Sequence, residues 1–287
     1  MLHQRKFTAM KLLLSTLKKS LLISALLAPV IADHSYADGM PGGYSGPPAA
    51  CCFTWTGFYF GVNGGGAWTD SHTIRFTGTD TGTGGLGSEI ADGTTPSQAP
   101  LDWSKSFTGG AQIGYNVQLG KAVVGVEADV QWLNAYANFV VVSTNPLRST
   151  ITTSADREMS MLATLRARFG MTLWEKSLLY VTGGVATGDT TLRISSSCPA
   201  CNPLRDVTSS SATTPVGWTF GAGYEVALKR WLMVKAEYLH YDLGNNSTTV
   251  TYDYPPNTST MTGKGHDEGN IVRVGVNFRL DQLNGAP

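Results

Sequence analysis

The sequence predicts an all-β protein, an eight-stranded antiparallel up-and-down transmembrane β-barrel that is preceded by a cleavable signal peptide. From Thr54 onward apolar and polar residues alternate with a period of two, which is the period of a strand and not of a helix. The connections between the predicted strands are alternately short and long, as in barrels that cross a membrane. No stretch reaches the roughly 18 apolar residues of a membrane helix, which excludes a helical membrane protein but not a β-barrel, whose signal is alternation.

Composition and charge exclude several classes of protein. The chain has 287 residues, of which 10% are aromatic and 15% charged, and this composition argues against disorder. The formal net charge is zero, so no basic surface for nucleic acid is predicted. Residues 1–37 hold five of the 21 basic residues and one of the 21 acidic ones, so the rest of the chain carries a net charge of −4.

The N-terminal segment 1–37 has the features of a secretory signal peptide. Three lysines precede an apolar run that ends at Ala32, and small residues follow. This is the order of a charged region, an apolar region and a cleavage site. Cleavage after Ala32 and cleavage after Ala37 both fit the pattern. Residues 38–53, rich in Gly and Pro, are predicted to form a flexible linker.

The barrel domain is predicted to span 54–280, with 281–287 as a tail. In the third strand Val124, Val126 and Val130 take one face while Glu127 and Asp129 take the other. The eight strands are predicted near 54–68, 104–117, 122–139, 158–172, 177–191, 216–228, 231–243 and 269–280.

The connections divide into two kinds that predict the orientation of the barrel. Short turns are expected at 118–121, 173–176 and 229–230, and long polar loops at 69–103, 140–157, 192–215 and 244–268. An even number of strands brings both termini to the end with the short turns. We therefore expect the termini in the periplasm and the long loops outside the cell.

One face of the strands carries charges of both signs. Four acids and five bases nearly balance, which suits an enclosed interior because buried charges must be paired. The predicted interior charge network consists of Glu127, Asp129, Arg166, Arg168, Glu225, Lys235, Glu237, Arg273 and Arg279. Positions relative to the connecting segments predict four cross-strand pairs: Glu127 with Arg168, Asp129 with Arg166, Glu225 with Lys235, and Glu237 with Arg273.

Tryptophans lie near the predicted strand ends. Six of the seven do so, namely Trp55, Trp68, Trp103, Trp174, Trp218 and Trp231. Aromatic girdles at the two membrane interfaces have this placement. We therefore predict that these six side chains contact the interfacial lipid.

Four segments together resemble a known family. They are WTGFYFGVNGGGAW at 55–68, WTFGAGYE at 218–225, VKAEYLHYDLG at 234–244 and NIVRVGVNFRL at 270–280. They resemble strands of the small outer-membrane β-barrels of alphaproteobacteria, often labelled porin family or outer-membrane immunogenic protein. The resemblance implies an OmpA-like, eight-stranded barrel inserted in the outer membrane of a Gram-negative bacterium, with no catalytic residues to transfer. Such barrels usually end on an aromatic residue, whereas this chain continues beyond Leu280.

Few residues suggest chemistry. The five histidines are scattered without metal-ligand spacing, and neither a metal nor a cofactor is predicted. Glu127 and Asp129 could do acid–base work, but the arginines at matching positions favour a structural ion-pair network. Cys198 and Cys201, in the third long loop of an exported protein, are a candidate disulfide. The role of the adjacent Cys51 and Cys52 is left open.

Three functions are compatible with these patterns. The leading one is a non-enzymatic outer-membrane barrel with a structural or surface role, whose interior is plugged by charges and conducts at most like a narrow porin. The alternatives are a periplasmic lipocalin-like carrier of a small ligand and a lipid-modifying barrel enzyme, for which His240 and Asp242 are the candidate pair. Expected partners are outer-membrane lipid, lipopolysaccharide and the barrel-insertion machinery; the oligomeric state is left open.

Overall fold

The computed structural model describes residues 53–69, 72–101, 105–144, 149–201 and 204–283. The predicted signal peptide, nearly all of the linker and Trp103 lie outside the described residues. The strands are β1 (Gly57–Trp68), β2 (His72–Asp80), β3 (Gln98–Leu101), β4 (Ser106–Leu119), β5 (Ala122–Thr144), β6 (Thr150–Trp174), β7 (Ser177–Cys198), β8 (Arg205–Thr213), β9 (Val216–Ala227), β10 (Leu232–Tyr254) and β11 (Asn257–Arg279). The helices are α1 (Leu86–Ala91) and α2 (Leu280–Leu283), and among the described residues no helix is long and apolar enough to span a membrane.

Eight of the strands close into a ring. The order is β1-β4-β5-β6-β7-β9-β10-β11, and β11 pairs again with β1 in antiparallel register from Tyr59↔Arg279 to Trp68↔Asn270. Each ring strand pairs with antiparallel neighbours, as in an up-and-down barrel. Closure pairs the first and last strands of the sheet and so removes its edges. The predicted antiparallel up-and-down β-barrel is therefore confirmed.

The ring strands are longer than predicted at one end of the barrel. We call this the loop end, and the opposite end, with the short turns and both termini of the barrel domain, the turn end. The predicted loop 140–157 is mostly strand, because β5 reaches Thr144 and β6 begins at Thr150. The predicted loop 244–268 is likewise a hairpin of β10 and β11 around a turn at 255–256. Both predictions were wrong because the apolar alternation is weak there: the extension of β5 starts with three consecutive valines, and those of β6, β10 and β11 are rich in Thr, Ser and Gly.

The two remaining long connections also contain regular structure. Within 69–103 lie β2, which pairs with β11, and β3, which pairs with β2. Within 192–215 the strand β8 continues the sheet beside β7, beyond the end of β9. These strands extend the wall of the barrel past the eight-stranded ring. The expectation of irregular loops is corrected accordingly.

Three β-bulges lie at a similar height in the wall. Register shifts occur between Trp132 and Ala135 in β5, between Met159 and Leu162 in β6, and between Asp242 and Gly244 in β10. Below this height the outward side chains are largely apolar, and above it they are largely polar. The bulges therefore separate the apolar belt from the extension at the loop end.

The interior is filled by layers of side chains along the axis. A turn-end cluster contains Trp55, Tyr59, Val123, Leu178, Tyr180, Ala227 and Met233. A middle cluster contains Ala67, Leu133, Ala135, Met159, Leu162, Ala186, Leu239, Tyr241, Leu243 and Ile271. A loop-end cluster beneath α1 contains Ile74, Phe76, Leu86, Ala99, Ala137, Ala155, Leu192, Ile194, Val250 and Met261. Between the first two clusters lies a layer of charged side chains.

Candidate functional site

The charge layer is built by inward-facing positions of β5, β6, β9, β10 and β11. Alternation places every second residue of each strand inside, so residues two apart on one strand enter the same layer. The layer comprises the carboxylates Glu127, Asp129, Glu225 and Glu237 and the cations Arg166, Arg168, Lys235 and Arg273. All eight side chains are buried. Four negative charges thus face four positive charges.

Glu127 is the carboxylate that all four cations of the layer share. Lys235 Nζ lies 3.0 Å from Glu127 Oε1, and Arg168 Nη1 lies 3.4 Å from Glu127 Oε2. Arg166 Nη2 also pairs with Glu127 and lies 2.7 Å from Asp129 Oδ2. Because each cation is held by two or more oxygens, removal of any one carboxylate changes the environment of several partners.

Arg273, on β11, connects a carboxylate of β5 with a carboxylate of β10. Its Nη1 lies 3.0 Å from Asp129 Oδ1, and its Nη2 lies 2.6 Å from Glu237 Oε2. Arg166 Nη1 reaches the other oxygen of Glu237 at 3.0 Å. The two guanidinium groups therefore bind both carboxylates, so the ion pairs continue across the lumen from β5 and β6 to β10 and β11.

Two tyrosines close the charge layer on the turn-end side. Arg168 Nη1 donates to Tyr59 Oη at 2.6 Å, and the Arg168 guanidinium lies 4.0 Å from the centre of the Tyr180 ring. Each ring has space because the residue directly opposite it on the neighbouring strand is a glycine. A Cβ on Gly114 would lie 2.3 Å from Tyr59 Oη, and one on Gly223 would lie 2.4 Å from Tyr180 Cζ. Part of the glycine content of the strands therefore accommodates side chains within a narrow barrel.

Buried amides border the layer and were left out of the predicted charge network. Gln112 Nε2 donates to Asn277 Oδ1 at 2.7 Å, and Asn277 Nδ2 donates to Glu225 Oε1 at 2.6 Å. Gln131 Nε2 donates to Asn63 Oδ1 at 2.7 Å. These residues occupy inward positions of their strands, so the same alternation that selects Glu127 could have found them.

The predicted register between β5 and β6 was wrong by two residues. Glu127 lies opposite Arg166, and Arg168 lies opposite Gly125. A shift of two keeps every side chain on its face, so the charges still point inward. The bulge between Trp132 and Ala135 changes the register along the hairpin, and a constant sum of positions cannot anticipate it.

Of the other two predicted pairs, Glu237 and Arg273 are in contact, whereas Glu225 and Lys235 face each other but bind other partners. Glu237 lies directly opposite Arg273, and Arg273 Nε donates to Glu237 Oε2 at 2.8 Å. Lys235 lies opposite Glu225 in register, but its ammonium group contacts Glu127 and Glu237. Glu225 instead accepts from Arg168 Nη2 at 2.8 Å.

Arg279 lies apart from the charge layer. Its side chain is buried at the turn end, where Nη2 donates to the carbonyl oxygen of Thr56 at 2.8 Å and pairs with Asp281. Its expected place in the network was wrong because Arg279 lies a full three inward positions below Arg273. Arg279 therefore links the end of β11 to the segment that immediately precedes β1.

The predicted girdle of tryptophans needs one correction. Trp68, Trp174 and Trp218 are exposed on the outer wall, and Trp231 is partly exposed there and stacks on Phe278. In contrast, the side chain of Trp55 is only 2% exposed and packs inside the barrel in the turn-end cluster. The chain enters the lumen before β1 begins, so Trp55 reaches the core instead of the lipid. Trp132, which was not predicted, is 59% exposed at the last outward position before the β5 bulge.

Two further ion pairs lie in the extension at the loop end. Arg157 pairs with Asp267 above the middle cluster, and both residues are buried. Arg205 holds Glu89 of α1 through two bonds, Nη1 to Oε1 at 2.8 Å and Nη2 to Oε2 at 2.9 Å. Burial raises the pKa of Glu89, against the opposing effect of Arg205.

Asp80 anchors the segment that leads into α1. Its carboxylate accepts from the amide N–H of Gly87 at 2.9 Å, from that of Ser88 at 2.6 Å and from Ser88 Oγ at 2.6 Å. Ser259 Oγ also donates to it. Partial burial alone would raise the pKa of Asp80, but these hydrogen bonds outweigh it and lower the pKa. Asp80 therefore serves as the anion that fixes the first turn of α1.

The remaining candidates are the predicted disulfide and the pair of His240 and Asp242. Cys198 and Cys201 are joined in a disulfide with a Cα–Cα distance of 5.4 Å. His240 does not pair with Asp242. Its Nδ1 lies 3.0 Å from Asn270 Oδ1 and its ring lies against Trp218, while Asp242 contacts His266.

Comparisons with known proteins agree with this architecture. The family model described as "Outer membrane protein beta-barrel domain" matches residues 45–279. The 31 kDa outer-membrane immunogenic protein of Brucella melitensis is 31% identical over 265 residues, which cover 91% of this chain and 100% of the relative. The 22 kDa outer membrane protein of Rhizobium leguminosarum is 26% identical over 79% of each chain.

Among solved structures, the chain resembles the crystal structure of the outer membrane protein OprG from Pseudomonas aeruginosa. The TM-score is 0.43 at 14% sequence identity, and the match covers 78% of this chain and 97% of that one.

Proposed function

Because the chain belongs to the outer membrane protein beta-barrel family, we propose that it is a structural, surface-exposed barrel of the outer membrane with a closed interior. The observation that carries this proposal is the stack of layers in the lumen. Two apolar clusters enclose the charge layer, and a third lies beneath α1. Side chains that fill an eight-stranded barrel leave little room for solute.

The outer wall supports residence in lipid over a soluble carrier. Large apolar side chains point outward from ring strands, including Phe107 at 92% exposure and Val274 at 62%. A lipocalin-like carrier would bury such an apolar face in its interior and expose the charged face of its strands to water. The belt of aliphatic and aromatic side chains is suited to outer-membrane lipid, and the polar extension above it to lipopolysaccharide. Delivery of such a barrel would require the insertion machinery.

A catalytic role receives less support than a structural one. The candidate His240 is held against Asn270 and Trp218 on the outer wall, and Asp242 is turned to His266. In the charge layer, each carboxylate is held by buried cations, which suits a structural network better than proton transfer. The relatives in Brucella are named immunogenic outer-membrane proteins, a name that fits exposure of the loop end at the cell surface.

Labelling of single cysteines on whole cells tests the proposed orientation. Thr83, exposed beyond the loop end of β2, and Lys121, exposed in the short turn between β4 and β5, form a matched pair. In a background with Cys51→Ser and Cys52→Ser, we expect an impermeant thiol reagent to modify Thr83→Cys and to leave Lys121→Cys unmodified. Labelling of Lys121→Cys alone would overturn the orientation. Lysed cells, in which both sites should react, provide the control for accessibility.

A further inference from the structure

The outer wall carries a group of metal-ligating side chains above the apolar belt. Asp242 on β10 and His266 and Glu268 on β11 each offer one ligand atom, and these atoms all lie within 4.8 Å of one another. The sequence spacing gave no indication of this group, because its members come from two strands joined by a long hairpin. The bulge between Asp242 and Gly244 sets their relative position: Asp242 lies opposite Glu268, and His266 lies opposite Asn245.

The separations of the ligand atoms fit a small divalent ion. His266 Nε2 lies 3.1 Å from Asp242 Oδ1 and 3.7 Å from Glu268 Oε2. Zinc bonds to nitrogen and oxygen of about 2.0–2.1 Å place neighbouring tetrahedral ligands about 3.3–3.4 Å apart. The two measured separations bracket this value. An ion at the centre of the group could therefore reach all three atoms with only small side-chain movements.

The orientation of the imidazole gives a second, independent indication. Asn245 Oδ1 lies 3.4 Å from His266 Nδ1, and an amide oxygen can only accept a hydrogen bond. This contact leaves Nε2 as the ring nitrogen that faces the carboxylate oxygens of Asp242 and Glu268. Metal-bound histidines commonly donate their second N–H to an oxygen acceptor in this way.

We propose that Asp242, His266 and Glu268 form a divalent-cation site on the outer wall of the barrel. A set of one imidazole and two carboxylates favours Zn²⁺ and its neighbours in the first transition series over Ca²⁺ and Mg²⁺, which prefer oxygen ligands alone. The side chains of Asp242, His266 and Glu268 are 21%, 36% and 26% exposed, so an ion can enter from outside.

Zinc titration of the full chain in detergent micelles tests the site. Every sample carries Cys51→Ser and Cys52→Ser, because free thiolates bind zinc themselves. With a chromophoric zinc chelator as competitor, we expect one saturable Zn²⁺ per chain and no displacement by equimolar Ca²⁺. Asp242→Asn, His266→Ala and Glu268→Gln should each weaken zinc binding at least tenfold, and Asn245→Ala about tenfold through loss of the contact between Asn245 Oδ1 and His266 Nδ1. Asp242→Asn keeps an oxygen for the Gly244 N–H, which donates to Asp242 Oδ1 at 2.8 Å, so the bulge should persist.

Matched controls separate this site from adventitious binding. His240→Gln removes the neighbouring outward imidazole, and Asp253→Asn removes an exposed carboxylate farther along β10; both should stay within twofold of the parent. X-ray absorption at the zinc edge should give nitrogen and oxygen ligands alone at about 2.0–2.1 Å. The proposal is overturned if the folded parent binds no zinc saturably, or if the ligand variants bind as tightly as the controls. Binding that shows no zinc preference over Ca²⁺ would also overturn it.

Discussion

Arg166 Nη2 lies 2.7 Å from Asp129 Oδ2, although Asp129 faces Thr164 and not Arg166 in the β5–β6 register. The arginine reaches diagonally along the strand and also binds Glu237 on the far side of the lumen at 3.0 Å. It therefore joins two carboxylates that come from opposite walls. The charge layer depends on long side chains that cross the interior, and less on pairs that lie side by side.

Loss of Arg166 should destabilise the barrel strongly. Arg166→Ala removes one of the cations that Glu127, Asp129 and Glu237 share, and breaking buried pairs in this way costs about 3–5 kcal/mol. Urea-induced unfolding, followed by the tryptophan fluorescence of the barrel in micelles, measures the change. Arg75→Ala, which removes an exposed arginine of β2, is the control and should change the free energy of unfolding by less than about 0.5 kcal/mol. Equal effects of the two substitutions would contradict the account.

Tryptophan quenching by brominated acyl chains should separate the lumen from the lipid face. Trp132 is 59% exposed on the outer wall, whereas Trp55 is 2% exposed inside the turn-end cluster. We expect Trp132→Phe to lower the quenched fraction of the fluorescence and Trp55→Phe to raise it, because the latter removes a shielded fluorophore. A fall in the quenched fraction of Trp55→Phe would place Trp55 in the interfacial girdle after all.

Acid should release the first turn of α1 before the barrel unfolds. The pKa of Asp80 is lowered in the folded state, so its stabilising contribution is complete above the ordinary aspartate pKa of about 3.9 and is lost as the pH falls through the lower, folded value. Asp80→Asn should speed hydrogen exchange at the amides of Gly87 and Ser88 about tenfold at neutral pH, through loss of charge-assisted bonds. Asp92→Asn, at the other end of α1, is the control. Exchange in Asp80→Asn that matches this control would rule out the anchoring role.

The ion pair of Arg205 with Glu89 should govern how firmly α1 covers the loop end. Arg205→Ala strands a buried carboxylate, at a local cost of about 3–5 kcal/mol, visible as faster hydrogen exchange in α1 and β8 but not in β4. The pKa of Glu89 is already raised by burial and rises further once Arg205 is removed. A raised carboxyl pKa favours the folded state at low pH, so the loss in Arg205→Ala should be smaller at pH 5 than at pH 8. A larger loss at pH 5 would contradict this reasoning, and Glu89→Gln in the same background should abolish the pH dependence.

The sequence predicted the ring of eight strands because lipid and lumen impose opposite polarity on alternate residues. It did not predict the strands of the extension. Ile151, Thr153 and Ala155 point inward there, but their outward neighbours are small and polar, so the alternation is shallow.

The β-bulges explain why the sequence pattern did not assign Arg157 to the interior. In β6 the inward positions are even-numbered at Arg166 and Arg168 but odd-numbered at Arg157, because the bulge between Met159 and Leu162 changes the parity. If the alternation of the part of β6 that holds Arg166 and Arg168 is continued past the bulge, Arg157 is assigned to the outer face. The group of Asp242, His266 and Glu268 was missed for a similar reason, since it depends on the bulge in β10. Bulges follow from local backbone geometry, which a pattern of residue types does not specify.

Ion conductance of the intact chain in a planar lipid bilayer tests the closed interior most directly. We expect no discrete current steps, because the turn-end cluster, the charge layer and the middle cluster fill the lumen in succession. Insertion can be verified in the same membranes by protection of the barrel from protease. Reproducible current steps from the inserted barrel, with a conductance that changes when Glu127→Gln is introduced, would show that ions pass through the charge layer and would contradict the account.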